Sequence, residues 1–118
     1  YLAGVENCGR PPFPCFGNLP QALQGTEGHT VILLSHDPSH WRDEVIRYPV
    51  ALMLAGHTHA MQLRIGRFSP AKWSSKEWGG IYRKGRQVLC VSSGIGGTMP
   101  FRLGAWPEIN VITLKRSI

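Results

Sequence analysis

Val50-Ala51-Leu52-Met53-Leu54-Ala55-Gly56-His57-Thr58-His59 is the stretch on which the reading of this 118-residue chain turns. The apolar run between Pro49 and Gly56 has the length and composition of a strand covered on both faces. It stops at a glycine and delivers two histidines. Residues two apart point the same way on extended chain, so His57 and His59 can face one cavity.

Working outward, Val31-Ile32-Leu33-Leu34 is a second apolar strand, and it runs into Ser35-His36-Asp37-Pro38. Between the two strands, Trp41, Val45 and Ile46 recur at helical spacing, which predicts a helix starting at Ser39 or Asp43 and reaching Tyr48. Strand, helix, strand is a βαβ unit, and its right-handed crossover makes the strands parallel neighbours. Their C-terminal ends then share one sheet edge, where open α/β sheets place ligand sites. Three imidazoles meeting there predict a metal site, because neutral imidazole is a ligand for zinc, iron, nickel and manganese.

Gly56-His57-Thr58-His59, preceded by Leu34-Ser35-His36-Asp37-Pro38, resembles the last two metal-binding blocks of the calcineurin-like metallophosphoesterases. Val91-Ser92-Ser93-Gly94-Ile95-Gly96, then Pro100 to Gly104 and Pro107-Glu108-Ile109, is similar to the C-terminal part of a bacterial, membrane-associated phosphodiesterase and phosphohydrolase branch. The resemblance runs from about Tyr1 to Leu114. It implies an α/β fold in which two sheets pack face to face with helices outside, a four-layer αββα sandwich. It also implies two divalent metal ions (Mn, Fe, Zn or Ni), with His36 and His57 on one and His59 on the other, and hydrolysis of a phosphoester. Such ions bind phosphate oxygens, lower the pKa of a water and stabilise the leaving oxygen.

The blocks that open the family's fold, Asp-x-His, Gly-Asp and Gly-Asn-His-Asp, do not occur in this sequence. Residues 1–118 therefore read as the C-terminal portion of a single metallophosphoesterase domain, with the catalytic acid and the other ligands expected in a preceding half. Three ligands divided over two ions predict no useful activity for the chain alone. Half a sandwich predicts association, with the N-terminal half or with further copies. The alternative is a non-catalytic metal- or partner-binding module of the same fold. Substrate-binding residues are not identifiable from the sequence.

Composition sets wider bounds. A net charge of +6, with basic residues dense between Arg64 and Arg86, suits a phosphorylated substrate, anionic headgroups or nucleic acid. Phe68, Trp73, Trp78 and Tyr82 interleave with those charges, but no nucleic-acid motif accompanies them, and no nucleic-acid partner is expected. No apolar run approaches the roughly 20 residues of a membrane span. The expected location is cytoplasmic or peripheral to a membrane, with any anchor in the preceding half. Cys8, Cys15 and Cys90 show no CxxC spacing; Cys8 and Cys15 flank a proline-rich turn across which they could form a disulfide, although reduced thiols are expected of a cytoplasmic protein, and Cys90 reads as a buried small hydrophobe.

The remaining elements follow from local signals. Tyr1 to Glu6 is predicted as a strand, and Asn18 as the cap of a helix from Leu19 to about Gln24 with Pro20 in its first turn. Ala60 to Gly66 alternates with a period of two and predicts a strand. Residues 67–80 read as an irregular loop, which the resemblance implies lies near the site mouth, 81–83 and 87–92 as a hairpin, and 108–114 as a last strand.

Overall fold

The computed structural model describes residues 1–116. β1 (Leu2–Gly4), β2 (Ile32–Leu34) and β3 (Leu52–Ala55) lie side by side and parallel, so the βαβ reading holds. β4 (Gly80–Lys84) and β5 (Gln87–Val91) form the expected hairpin, and β5 docks parallel to β3. The result is one five-stranded sheet in the order β1-β2-β3-β5-β4.

Register divides the sheet into two unlike faces. Ala3, Leu33, Met53 and Leu89 share one face and are buried under α1 (Leu19–Ala22), α2 (Ser39–Asp43) and the 3-10 turn Val45–Arg47. Fully covering a side chain of this size stabilises by about 1.5–3 kcal/mol. Trp41 and Val45 complete that core with Leu19, and Ile46 packs at its margin, as the helical spacing requires. The opposite face carries Leu2, Ile32, Leu52 and Val88, then Leu34, Leu54 and Cys90, and it is much less covered. Leu2 is 69% and Leu34 43% exposed, which makes this face apolar and open. Cys90 is half-buried on it rather than buried.

Local signals set the helix starts. The Asn18 side-chain oxygen accepts from the Gln21 backbone N–H at 3.1 Å, with Pro20 in the first turn. Asp37 does the same for α2, accepting from the Ser39 N–H at 2.8 Å and from the Ser39 hydroxyl at 2.6 Å. Both helices are shorter than the sequence predicts, α1 ending by Leu23 and α2 breaking at Glu44.

Three expectations are corrected. Residues 60–66 are not a strand: His59–Gln62 is a tight turn in which His59, Ala60, Met61 and Gln62 all have positive φ, between 47° and 56°. Alternation of side-chain polarity does not report backbone handedness, and the left-handed region costs a non-glycine residue about 1–2 kcal/mol, so nothing in the pattern announces it. Residues 108–114 lie outside the sheet and residues 109–114 are exposed; Glu108 ties the segment back through its N–H, which donates to the Gly94 carbonyl, and through its Oε1, which accepts from the Ser93 N–H at 2.7 Å. Residues 67–80 contain a short helix, α3 (Ala71–Ser74), held to α2 by the Arg42 pair with buried Glu77 at 3.0 Å.

Cys8 and Cys15 are joined in a disulfide rather than free. The two residues form an antiparallel bridge across the proline-rich loop, which brings their side chains together.

Candidate metal centre

Parallel pairing of β2 with β3 puts their C-terminal ends on one edge, and the Gly56 N–H donates to the His36 carbonyl across it at 3.0 Å. His36 therefore meets the histidines that follow β3. His36 Nε2 lies 3.2 Å from His57 Nδ1, one ring donating and the other accepting. The two rings stand edge to face with centroids 5.0 Å apart.

His59 reaches the same cavity by a different route. The left-handed turn swings the chain back after Thr58, whose hydroxyl accepts from the Ala60 N–H and donates to the Trp78 carbonyl. His59 Nδ1 then sits 3.2 Å from the Ser93 carbonyl oxygen beyond β5. A carbonyl only accepts, so Nδ1 carries the hydrogen and the Nε2 lone pair is left available. Backbone carbonyls orient metal-ligating imidazoles in just this way.

The three histidines line one cavity of about 970 Å³. The His36 pKa is pushed below its ordinary value, first by burial and then by His57, with Asp37 acting in the opposite direction and His59 adding to the lowering. Neutral imidazole is the ligating form. Asp37 Oδ2 stands 3.8 Å from His57 Nε2, so the edge also offers a carboxylate that the sequence reading used only as part of a motif. Nitrogen and carboxylate donors grouped this way suit zinc, manganese or iron.

Several site residues were not singled out in the sequence. Asp37 follows His36 directly, and that adjacency was a usable signal. Phe13 packs edge-on to His57 with centroids 4.7 Å apart, and its loop borders the cavity with Arg10, Pro11 and Pro12. Arg10 donates to the Asp43 carboxylate of α2 through two of its three nitrogens, Nε at 2.6 Å and Nη2. Gln62 is buried and organises the far wall: its Oε1 accepts from the Thr98 and Met99 N–H groups, and its Nε2 donates to the Met99 and Phe101 carbonyls. Nothing local in the sequence marks Phe13, Arg10 or Gln62, because their partners lie far away along the chain. Residues of the 67–80 segment, Pro70, Ser74 and Ser75, also border the cavity.

Known proteins resemble the chain at modest identity. It is 37% identical over 91 residues to YkuE of Bacillus subtilis, named an uncharacterized metallophosphoesterase, covering 71% of this chain and 30% of that protein. It is 34% identical over 89 residues to the B. subtilis protein YpbG, covering 75% and 32%. It is 30% identical over 110 residues to the phosphodiesterase YaeI of Escherichia coli, covering 89% and 36%. The chain thus spans about a third of the length of these relatives. No protein-family model and no solved structure matches it. Two of these relatives are thus named a metallophosphoesterase and a phosphodiesterase. No helix among the described residues is long and apolar enough to cross a membrane.

Proposed function

We propose that this chain carries the final histidine blocks of a dinuclear-metal phosphoester hydrolase of the calcineurin-like type. The observation that carries the reading is the approach of His36 Nε2 to His57 Nδ1 at 3.2 Å on the sheet edge, with His59 lining the same cavity. His36 and His57 would hold one divalent ion through the nitrogens that now face each other, and His59 Nε2 would hold the second. Bound there, such ions supply Lewis-acid activation of a phosphoryl group and of water.

The protein's own residues do the rest. Asp37 sets a carboxylate 3.8 Å from His57 Nε2, the Ser93 carbonyl fixes the His59 tautomer, and Phe13 shields one side of His57 from water. The proton donor to the leaving oxygen and the bridging carboxylate lie, on this reading, outside residues 1–118. A second layer supplied by a preceding segment of a longer protein, or by another copy, would cover the open face carrying Leu2 and Leu34. That reading makes the chain the C-terminal half of an αββα sandwich, and any membrane association a property of the preceding segment. The net charge of +6 favours a phosphorylated substrate over a neutral one.

The test uses bis-p-nitrophenyl phosphate with manganese. The 118-residue chain alone gives no turnover, whereas the longer protein that contains it does, and His57→Ala in that protein removes bound metal and turnover together. Unchanged metal content and rate in His57→Ala would refute the assignment. If the longer protein binds metal but hydrolyses no phosphoester, the open apolar face favours the partner-binding reading instead.

A further inference from the structure

A second group of metal-ligating side chains lies behind α2. Cys8 Sγ, a ring nitrogen of His40 and a carboxylate oxygen of Glu44 all fall within 4.8 Å of one another. None of them belongs to the His36, His57 and His59 group. His40 is only 2% exposed. Its Nδ1 is 2.9 Å from the Ser35 hydroxyl, and its Nε2 is 2.9 Å from Glu44 Oε2, one helical turn away.

In the oxidised chain this group has no use for a cation, because a disulfide sulfur is not a metal ligand and the His40 to Glu44 contact is satisfied by a proton. We propose that opening the Cys8–Cys15 bond creates a zinc-class site, in which the Cys8 thiolate, His40 Nε2 and one Glu44 oxygen hold a single cation and water takes the fourth tetrahedral position. Thiolate, imidazole and carboxylate are the donor types zinc selects.

The chemistry balances as a thiol-disulfide step followed by ligation. A dithiol or a phosphine gives an electron pair to the disulfide, the S–S bond breaks and each sulfur gains a proton; the dithiol closes to its own disulfide, or the phosphine takes oxygen from water. Metal binding then releases the Cys8 proton to solvent. His40 exchanges the hydrogen of its Nε2 contact through solvent for one on Nδ1, donated to the Ser35 oxygen, which leaves the Nε2 lone pair for the cation. This is the outer contact that fixes a ligating imidazole.

The site needs Cys8 to stay beside His40 after reduction, and bonds other than the disulfide hold it there. The Phe16 N–H donates to the Asn7 carbonyl at 2.8 Å, and Asn7 Nδ2 donates to the Pro14 carbonyl at 3.1 Å, closing the loop at its base. Arg10 ties the same loop to Asp43 on α2.

Cobalt(II) tests this, because a thiolate ligand gives a near-ultraviolet charge-transfer band that the His36, His57 and His59 group, lacking sulfur, cannot give. The full 118-residue chain is titrated with cobalt before and after phosphine reduction and desalting. One equivalent should develop the band in the reduced chain, and in Cys15→Ser without any reductant, and zinc should displace it. Oxidised chain and Cys8→Ser should show no band, Cys90→Ser should behave like the parent, and His40→Ala placed in Cys15→Ser should weaken cobalt binding at least about tenfold. Cys8→Ser and Cys15→Ser lack the same covalent bond, so a difference between them reports ligation and not stability. A band that persists in Cys8→Ser, or its absence from both reduced chain and Cys15→Ser, overturns the proposal. Unfolding of the reduced chain, seen by circular dichroism, overturns it too, since the site requires a loop that survives reduction.

Discussion

Gln62→Leu should weaken the fold far more than an ordinary polar-to-apolar exchange of similar size. Gln62 is 2% exposed and its amide serves four main-chain groups, accepting from the Thr98 and Met99 N–H groups at 2.7 and 2.8 Å and donating to the Met99 and Phe101 carbonyls at 2.9 and 2.6 Å. Leucine fills the space and serves none of them. Residues 98–101 are exposed, so the freed groups can rehydrate, and each lost bond costs the net value of about 0.5–1.5 kcal/mol and not a full burial penalty. Four such losses sum to roughly 4 kcal/mol, a large share of the ~5–15 kcal/mol that holds a typical domain. The same amide braces the turn that presents His59, so the left-handed strain of residues 59–62 loses a compensating anchor. Urea denaturation followed by tryptophan fluorescence measures the change. Gln62→Glu keeps the acceptor but sets a second oxygen against the Met99 and Phe101 carbonyls in a buried place, and should be no more stable than Gln62→Leu at neutral pH. A Gln62→Leu midpoint that gives a loss under ~1 kcal/mol would refute the bracing role.

Met61→Gly should be neutral or stabilising by up to ~1 kcal/mol, since Met61 sits at φ 48° and glycine removes a left-handed penalty of about 1–2 kcal/mol against an entropy cost near 1; in a strand the same change would be a plain loss, so the sign of the melting shift decides between the two backbones. Arg42→Met should cost about 2 kcal/mol and loosen the 67–80 segment, because Glu77 is left buried without its partner. Restoring neutrality with Glu77→Gln in the same chain should recover part of that loss in thermal melting. Asp43 is held below its ordinary 3.8, first by the hydrogen bond from Arg10. Its contribution is therefore complete above that value and drains away as pH falls through the lower folded one, so Asp43→Asn should flatten the drop in melting temperature below about pH 5. An unaltered acid limb in Asp43→Asn would remove the pair from the account of acid stability.

What the sequence disclosed and what it hid separate along a physical line. Apolar runs report burial, and a βαβ pattern with its fixed hand reports adjacency, so the pairing of Ile32–Leu34 with Leu52–Ala55 and the shared edge for His36 and His57 were legible without coordinates. Backbone handedness leaves no such trace: Ala60, Met61 and Gln62 are ordinary L-residues whose alternation predicts a strand, and contacts made by Thr58, Gln62 and Ser69 with groups distant in sequence help hold them at positive φ. The same holds for the pairing of Cys8 with Cys15 and for the approach of Phe13 to His57, both products of a proline-rich loop whose path no periodicity encodes. His59 sits where these two kinds of information meet. Its distance of two residues from His57 suggested a common cavity through an extended chain, yet it reaches that cavity through a left-handed turn instead. The turn sets Nδ1 against the Ser93 carbonyl and so leaves Nε2 as the free donor, a tautomer that an extended chain alone would not have fixed.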